Sequence, residues 1–205
     1  MVVSTFGITR LVDLVVGEGR RAAARVTTAV DDILGGGRGD AARVTHVVDG
    51  DTVDVAIRED GRTREVRIRL TGIDTPESKK PGTPVECGAL EAEHHLLELT
   101  FTAPRDTNAD GLHDMEGGVG RRVTFTRDSS GDEVDRYGRS LGYLTVGGRE
   151  RTLQEQMLAA GWADLYVYGG REFDRLDDFR AAARTGERHR RGAHAICGGD
   201  FHRAR

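Results

Sequence analysis

Three short segments of the sequence place carboxylate and guanidinium groups beside residues that favour turns. In chain order they are Asp49-Gly50-Asp51-Thr52, the stretch from Arg69 to Glu77, and Asp135-Arg136-Tyr137-Gly138-Arg139. Carboxylates suit hard cations that prefer oxygen ligands, and guanidinium groups donate paired hydrogen bonds to a phosphate. The residue types in these segments therefore suit a site that binds a hard cation and an anionic group such as a phosphate.

Each segment alone also has an ordinary structural interpretation. The Asp-Gly pair is common in β-turns, and the third segment could be a surface salt bridge. The middle segment is more informative, because Pro76 restricts Thr75 to extended backbone and a stiff loop then places Asp74 and Glu77. A catalytic loop requires that rigidity.

Alternation of apolar and polar residues predicts the strands that carry these segments. The predicted strands are 52–57, 65–70, 122–126 and 140–146, and the domain that holds them is expected to begin near residue 41. In the second strand, Val66, Ile68 and Leu70 share one face, so Arg67 and Arg69 must project from the other. The strand therefore presents guanidinium groups away from the core.

Helical spacing of apolar residues predicts three helices among and after the strands. They are expected over 84–100, from a capping box at Thr152 and Glu155 to Gly161, and over 172–184 with Leu176, Phe179 and Ala183 inward. Strands first and helices interspersed or late predict an α+β protein, a small barrel with helices packed on it.

Composition limits the classes of protein that fit. The chain has 205 residues, 37% hydrophobic and 31% charged, with a formal net charge of −4. That length suits one domain with some extra chain, and no apolar run approaches the roughly 20 residues that span a bilayer. The acidic balance alone argues against a nucleic-acid partner, because phosphate binding normally leaves a basic footprint.

Residues 1–40 are predicted to be an extension of the domain. The apolar spacing over 11–34 favours an amphipathic helix, and the Gly-rich run 35–40 favours a flexible linker. A degenerate export signal is the alternative interpretation, although Arg10 and Asp13 interrupt its apolar region.

Taken together, the three segments resemble the thermonuclease family, the staphylococcal nuclease-like enzymes, from about Ala41 to Cys197. The resemblance implies a five-stranded OB-fold barrel with about three packed helices over residues 41–198, carrying an insertion loop over 102–120 and followed by a tail at 199–205. It further implies a calcium-dependent endonuclease that cleaves DNA and RNA with little sequence preference and leaves 3′-phosphate ends. A monomer is expected.

The resemblance also assigns roles to individual residues. Asp51, Asp74 and the Thr75 carbonyl would hold Ca²⁺, Arg69 and Arg139 would grip the phosphate, and Glu77 would be the base that takes a proton from water. Bound Ca²⁺ would add positive charge that the formal net charge omits, so the acidic balance no longer excludes a nucleic-acid substrate.

Substrate contacts are expected from residues near these groups. They are Arg136, Tyr137, Tyr166 and Tyr168, with Lys79 and Lys80 in the loop after Glu77. Tyrosines packed against the barrel and a solvated lysine pair are the alternatives. Two other classes of function also remain open: a non-catalytic nucleic-acid-binding module, and a calcium-binding interaction domain.

The insertion loop contains the ligand order of a calcium-binding loop. Its oxygen donors are Asp106, Asn108, Asp110, the Leu112 carbonyl and Asp114, with Gly111 at the sixth position. The bidentate Glu expected at the twelfth position is missing, where the sequence has Gly117. Because the other ligand positions are filled, a second, structural calcium site is expected there, and a polar loop without an ion is the alternative.

Cys87 and Cys197 are the two cysteines of the chain, and the sequence allows either a pair of thiols or one disulfide. The histidines around Cys197 match no standard zinc spacing, so the arginine-rich segment beyond it is expected to be solvated. The compartment also stays open, because calcium dependence favours an extracellular setting and the weak export signal favours an intracellular one.

Overall fold

The structure of the chain is a computed structural model, and it describes residues 39–59, 61–79, 82–109, 112, 114, 118–147 and 149–205. The predicted helix over 11–34 and residues 35–38 of the linker lie outside the described residues. The strands are β1 (Asp40–Asp49), β2 (Thr52–Glu59), β3 (Arg62–Leu70), β4 (Ile73–Asp74), β5 (Phe101–Thr102), β6 (Val119–Gly120), β7 (Arg122–Thr126), β8 (Ser140–Val146) and β9 (Asp164–Leu165). The helices are α1 (Ala89–Thr100), α2 (Leu153–Ala159), α3 (Leu176–Arg188) and α4 (Ala193–Ile196), with a 3₁₀ turn at Tyr168–Gly170.

Five strands close into a barrel in the order β1, β2, β3, β8, β7. Neighbouring strands run antiparallel except β3 and β8, which are parallel with Arg69 opposite Leu141. Apolar side chains fill the interior, and Val53, Val55, Ile68, Leu70 and Leu144 have no exposed surface. The expected α+β OB-fold is confirmed, and β1 adds a strand that the sequence patterns did not delimit.

The helices differ in their boundaries from those predicted. The first begins at Ala89 rather than residue 84, because the chain passes through Gly88 at φ 82°, a left-handed conformation that a helix does not continue through. The second has the predicted capping box, with reciprocal hydrogen bonds between Thr152 and Glu155. The third is shifted to Leu176–Arg188, and its Leu176 and Phe179 are buried as expected.

Two short ribbons extend the barrel. The first pairs β4 with β9 and sets Asp74 opposite Asp164, next to the predicted catalytic loop. The second pairs β5 with β6 and joins the two ends of the insertion loop. Within the described part of the chain, no helix is long and apolar enough to cross a membrane.

The chain after α3 is largely exposed but is attached to the domain at a few buried residues. Cys87 and Cys197 form a disulfide with a Cα–Cα distance of 5.9 Å, which settles the alternative left open by the sequence. Phe201 is 5% exposed and packs with Ala193 and Cys197 in a second, small hydrophobic core. Residues 202–205 are exposed, as expected for a solvated segment, and Phe201 is the buried residue that attaches this segment to the domain.

Candidate active site

Arg69 lies between two of the predicted metal-binding carboxylates. Its Nη2 atom is 2.8 Å from Asp51 Oδ2 and 2.9 Å from Asp74 Oδ1. Its Nη1 atom donates to the carbonyls of Leu70 at 2.7 Å and Ile73 at 2.8 Å. The guanidinium thus joins the turn before β2 to the loop after β3.

Strand register brings these groups together. Thr52, the first residue of β2, pairs with Arg69 near the end of β3, so Asp51 lies directly beside the arginine. The chain then turns through Gly72 and enters β4, which ends at Asp74. Two segments that are separated in sequence therefore meet at one end of the barrel.

Asp51 is a carboxylate largely removed from water. Burial raises its pKa to about 7; the nearby Arg69 opposes this shift, and Asp49 adds to it through repulsion between like charges. Burial also raises the pKa of Asp74, again opposed by Arg69. The carboxylates therefore occupy a site with more negative charge than one guanidinium neutralises, which favours a further cation.

Gly50 allows the first segment to touch the second. A Cβ atom built on Gly50 would lie 2.7 Å from Thr75 Oγ1 and 2.9 Å from Thr75 Cβ, closer than real contacts allow. Thr75 is itself buried, at 6% exposure. The close approach of the turn to Thr75 sets the spacing between Asp51 and Asp74.

Arg139 is oriented by the third segment. Its Nε atom donates to Asp135 Oδ2 at 2.7 Å, and its backbone N–H donates to Asp135 Oδ1 at 2.9 Å. Burial alone would raise the pKa of Asp135, but these hydrogen bonds outweigh that effect and hold the pKa below its ordinary value. Nη1 of Arg139 also donates to Thr52 Oγ1 at 3.3 Å, and that hydroxyl donates to Asp51 Oδ1 at 2.9 Å. Arg139 therefore joins the same group of polar residues as Arg69.

Glu77 lies three residues beyond Asp74, after buried Pro76, and is half-buried. Its Oε1 atom accepts the backbone N–H of Lys79 at 2.8 Å. Its own backbone N–H donates to Glu86 Oε2 at 2.7 Å, and its carbonyl accepts from the Glu86 N–H at 3.0 Å. Hydrogen bonds to both the N–H and the carbonyl of Glu77 therefore hold the main chain that carries its carboxylate.

The donors at this site suit a hard divalent cation. Asp51 and Asp74 each direct an oxygen to the same nitrogen of Arg69, so the two carboxylates point to a shared region. All of the candidate ligands are oxygens, as Ca²⁺ prefers, with water or substrate completing the coordination. Within the described residues, no group of three or more His, Cys, Asp or Glu side chains is arranged so that it could hold a metal ion by itself.

Tyr137 and Arg136 are exposed at the turn before β8. The Tyr137 ring has the Arg136 guanidinium 4.8 Å and the Arg139 guanidinium 5.5 Å from its centroid. The ring is 68% exposed and therefore available for stacking. This aromatic–guanidinium cluster continues outward from Arg139.

Tyr166 and Tyr168 lie beyond β9, with ring centroids 6.3 Å apart. They are 44% and 66% exposed, so neither ring belongs to the hydrophobic core. The backbone N–H of Tyr166 donates to the Gly72 carbonyl at 3.0 Å, which places this segment beside the turn that leads to Asp74.

Lys79 is tied to neighbouring groups. Its Nζ atom lies 2.9 Å from Glu93 Oε1 and donates to the Val48 carbonyl, so it links the loop after Glu77 to α1 and to the turn before Asp51. Lys80 lies outside the described residues. These contacts within the domain were not among the two interpretations of Lys79 from the sequence, a substrate contact and a solvated lysine pair.

The insertion loop is described only in part. Asp110 and Gly111 lie outside the described residues, and Asp114 Oδ2 accepts hydrogen bonds from the backbone N–H and hydroxyl of Thr107. The calcium site over Asp106, Asn108, Asp110, Leu112 and Asp114 stays a prediction.

Four residues of the site were missed from the sequence. They are Asp49, whose Oδ1 accepts the Asp51 N–H at 3.0 Å, together with Thr52, Asp135 and Glu86. The first three lie inside the quoted motifs, so their position was a usable signal. Glu86 lies outside every motif, and only the folded loop reveals its contact with Glu77.

The part of the chain that holds most of these residues is similar in sequence to known proteins. The family model described as "Staphylococcal nuclease homologue" matches residues 67–193, more than half of the chain. The matched range includes Arg69, Asp74, Glu77 and Arg139 and begins after Asp51.

Several characterised proteins are similar over part of the chain. A thermonuclease of Staphylococcus hyicus is 32% identical over 122 residues, which is 60% of this chain and 57% of that protein. A thermonuclease of Staphylococcus intermedius is 36% identical over 101 residues, 49% of this chain and 46% of that protein. Endonuclease YncB of Bacillus subtilis is 32% identical over 122 residues, 59% of this chain and 46% of that protein. The chain thus spans about half the length of the curated relatives it matches.

Proposed function

The chain belongs to the staphylococcal nuclease family, and from that premise we propose that it is a calcium-dependent endonuclease that hydrolyses phosphodiester bonds of DNA and RNA. Little sequence preference and 3′-phosphate products are part of the proposal. The observation that carries it is the position of the Arg69 guanidinium, which lies within 2.9 Å of both the Asp51 and the Asp74 carboxylates. Glu77 lies on the same loop as Asp74.

The two arginines would bind the scissile phosphate. Arg69 lies in β3 and Arg139 immediately precedes β8, the strand parallel to β3, and both are held by carboxylates that fix the plane of the guanidinium. Fixed guanidinium groups donate bidentate hydrogen bonds that strengthen as charge builds on the phosphoryl oxygens. When substrate binds, Arg69 would give up some of its contacts with Asp51 and Asp74 and form hydrogen bonds to the phosphate instead.

Glu77 would act as the general base. Its backbone is fixed by Glu86 and by the preceding Pro76, so the carboxylate is held in place before substrate arrives. It would accept a proton from the water that attacks phosphorus, a role that contributes about 10²–10⁴ in rate.

Asp51, Asp74 and the Thr75 carbonyl would hold the calcium ion. When bound, the ion supplies positive charge to polarise the phosphate and to acidify water. The raised pKa of Asp51 supports this assignment, because a buried carboxylate of that kind gains most from a nearby cation.

The exposed tyrosines would receive the bases of the substrate. Tyr137 lies beside Arg139, and Tyr166 and Tyr168 lie beside the turn before Asp74. Aromatic rings stack on bases without regard to sequence, which agrees with an enzyme of little sequence preference.

Digestion of single-stranded DNA, double-stranded DNA and RNA in calcium, magnesium or EDTA tests the proposal. We expect cleavage of all three in calcium and none in EDTA, with 3′-phosphate ends detected by phosphatase treatment and mass spectrometry. Binding of nucleic acid without cleavage would instead favour a non-catalytic OB module, and binding of calcium alone would favour an interaction domain.

A further inference from the structure

The last residues of the chain contact the loop that carries Glu77. This segment, Asp200–Arg205, is called the strap. Its backbone pairs with the segment before α1, where the Cys87 N–H donates to the Arg203 carbonyl at 2.7 Å and the Arg205 N–H donates to the Val85 carbonyl at 2.9 Å. Glu86 and Ala204 form the β-bridge between the two segments. A single antiparallel bridge thus holds the strap beside Glu86.

Glu86 in turn holds the backbone of Glu77 from both sides. Its carboxylate accepts the Glu77 N–H at 2.7 Å, and its own N–H donates to the Glu77 carbonyl at 3.0 Å. The Glu86 side chain is 14% exposed, so this contact is sheltered from water. Together the two hydrogen bonds fix the main chain from which the Glu77 carboxylate projects.

His202 connects the strap to both sides of the site. Its Nδ1 atom lies 3.1 Å from Glu86 Oε2, the same oxygen that accepts the Glu77 N–H. Its Nε2 atom lies 3.6 Å from Asp74 Oδ2. The imidazole therefore lies between a candidate metal ligand and the residue that orients the candidate base.

The strap is anchored independently of these polar contacts. Phe201 is buried beside Cys197, and Cys197 is bonded to Cys87, the residue after Glu86. His194 stacks edge-on against Phe201 with centroids 5.1 Å apart. His202 is therefore presented by a segment with fixed neighbours on both sides.

We propose that the strap is a positioning element of the active site and acts on Glu77 through His202 and Glu86. His202 fixes the Glu86 carboxylate, and Glu86 fixes the Glu77 main chain. The inference rests on the proposed nuclease function, since Glu77 must be the base for its position to matter to turnover. It predicts an effect on kcat without an equal effect on KM, because substrate binding is left to the arginines and tyrosines.

Kinetics of the full chain in saturating calcium test the proposal. We expect Glu86→Ala to lower kcat about 10- to 100-fold with KM changed less than about twofold, since a small misplacement of a catalytic group costs about that much. Glu86→Gln keeps an oxygen that accepts the Glu77 N–H and should retain kcat within about fivefold. Glu187→Ala, at an exposed position of α3, is the matched control and should behave as the unmodified chain.

His202→Ala tests the strap itself. We expect kcat to fall about three- to tenfold, as for one lost hydrogen bond, and to fall no further when His202→Ala is added to Glu86→Ala. His189→Ala, on an exposed histidine, is its control. If His202→Ala only raises the calcium concentration needed for half-maximal rate, His202 acts on Asp74 and the proposed route through Glu86 is overturned.

Amide exchange of Glu77, followed by NMR, separates the two proposals. Glu86→Ala and His202→Ala should speed exchange of the Glu77 N–H and leave amides inside α1 unchanged. Faster exchange in a chain that cleaves nothing would show that Glu86 and His202 hold the Glu77 main chain. It would also overturn the nuclease function, and with it the role of the strap in catalysis. A cleaving chain in which Glu86→Ala alters neither kcat nor Glu77 exchange would overturn the strap proposal alone.

Discussion

Arg69 and Asp51 form an ion pair at the end of the barrel, with Nη2 2.8 Å from Oδ2 and both side chains largely out of water. Such a pair is costly to bury, so it is weak evidence for stability. The same nitrogen also lies 2.9 Å from Asp74, and one guanidinium therefore organises two carboxylates for a further ligand.

Arg69→Lys tests that organisation. A single ammonium cannot replace four contacts made by two guanidinium nitrogens, so we expect kcat to fall at least about 100-fold and the free energy of unfolding to fall by about 1–3 kcal/mol. Steady-state cleavage and urea unfolding measure the two effects. The control is Arg67→Lys on the same strand face, where the half-exposed arginine pairs with Asp54; equal losses in both variants would contradict the assignment.

Gly50→Ala tests the contact between the first two segments. The new methyl group would lie 2.7 Å from Thr75 Oγ1, so the turn must move and separate Asp51 from Asp74. We expect weaker calcium binding by calorimetry and a stability loss of about 1–3 kcal/mol. Gly131→Ala is the control, because its Cβ would meet Asp128 at an ordinary 3.5 Å. Unchanged calcium affinity in Gly50→Ala would rule out this spacing as a requirement.

Asp135→Asn tests how Arg139 is held. Because the folded state holds the pKa of Asp135 below its ordinary value, ionised Asp135 stabilises the fold above the unfolded pKa of about 3.9, and that stability is lost as pH falls through the folded pKa. The stability difference between the unmodified chain and Asp135→Asn should therefore be about 1–2 kcal/mol and constant from pH 5 to 8. Below about pH 4 it should shrink.

Urea unfolding across pH checks this difference, and kcat should fall about tenfold at neutral pH as Arg139 loses its fixed plane. Asp132→Asn is the control, since its pair with Arg171 is exposed on both sides. A stability difference that grows toward low pH would contradict the prediction.

The Cys87–Cys197 disulfide should contribute directly to stability. It joins residues 110 apart in sequence, so it restricts the unfolded chain strongly. Replacing both cysteines by serine should lower the free energy of unfolding by about 2–5 kcal/mol. Reducing agent should have the same effect on the unmodified chain and none on the double variant; an unfolding midpoint that the reductant does not move would contradict a formed disulfide.

Local patterns predicted most of the barrel but not its closure. Alternation located four strands because one face of each is buried, and the capping box located the start of α2 because Thr152 and Glu155 form reciprocal hydrogen bonds three residues apart. The parallel pairing of β3 with β8 depends on tertiary packing, and it is this pairing that places Arg139 near Arg69.

Motif residues could be proposed from the sequence, whereas their partners could not. The resemblance offered Arg69, Asp74 and Glu77 as candidates because each lies at a fixed offset within a motif. Glu86 and His202 have no such offset, and they reach the site only because the disulfide and Phe201 hold the end of the chain against it. The arginine-rich composition of that end predicted solvent exposure, and residues 202–205 are exposed; the attachment through buried Phe201 had no signal in the composition.

The central claim is that Glu77 is the base of a phosphodiesterase, and Glu77→Gln tests it most directly. We expect kcat for cleavage of DNA in calcium to fall about 10²- to 10⁴-fold, with the Kd for an oligonucleotide changed less than about threefold. Glu133→Gln, at an exposed position before the third motif, should cleave as the unmodified chain does. Cleavage by Glu77→Gln at the rate of the unmodified chain would contradict the account.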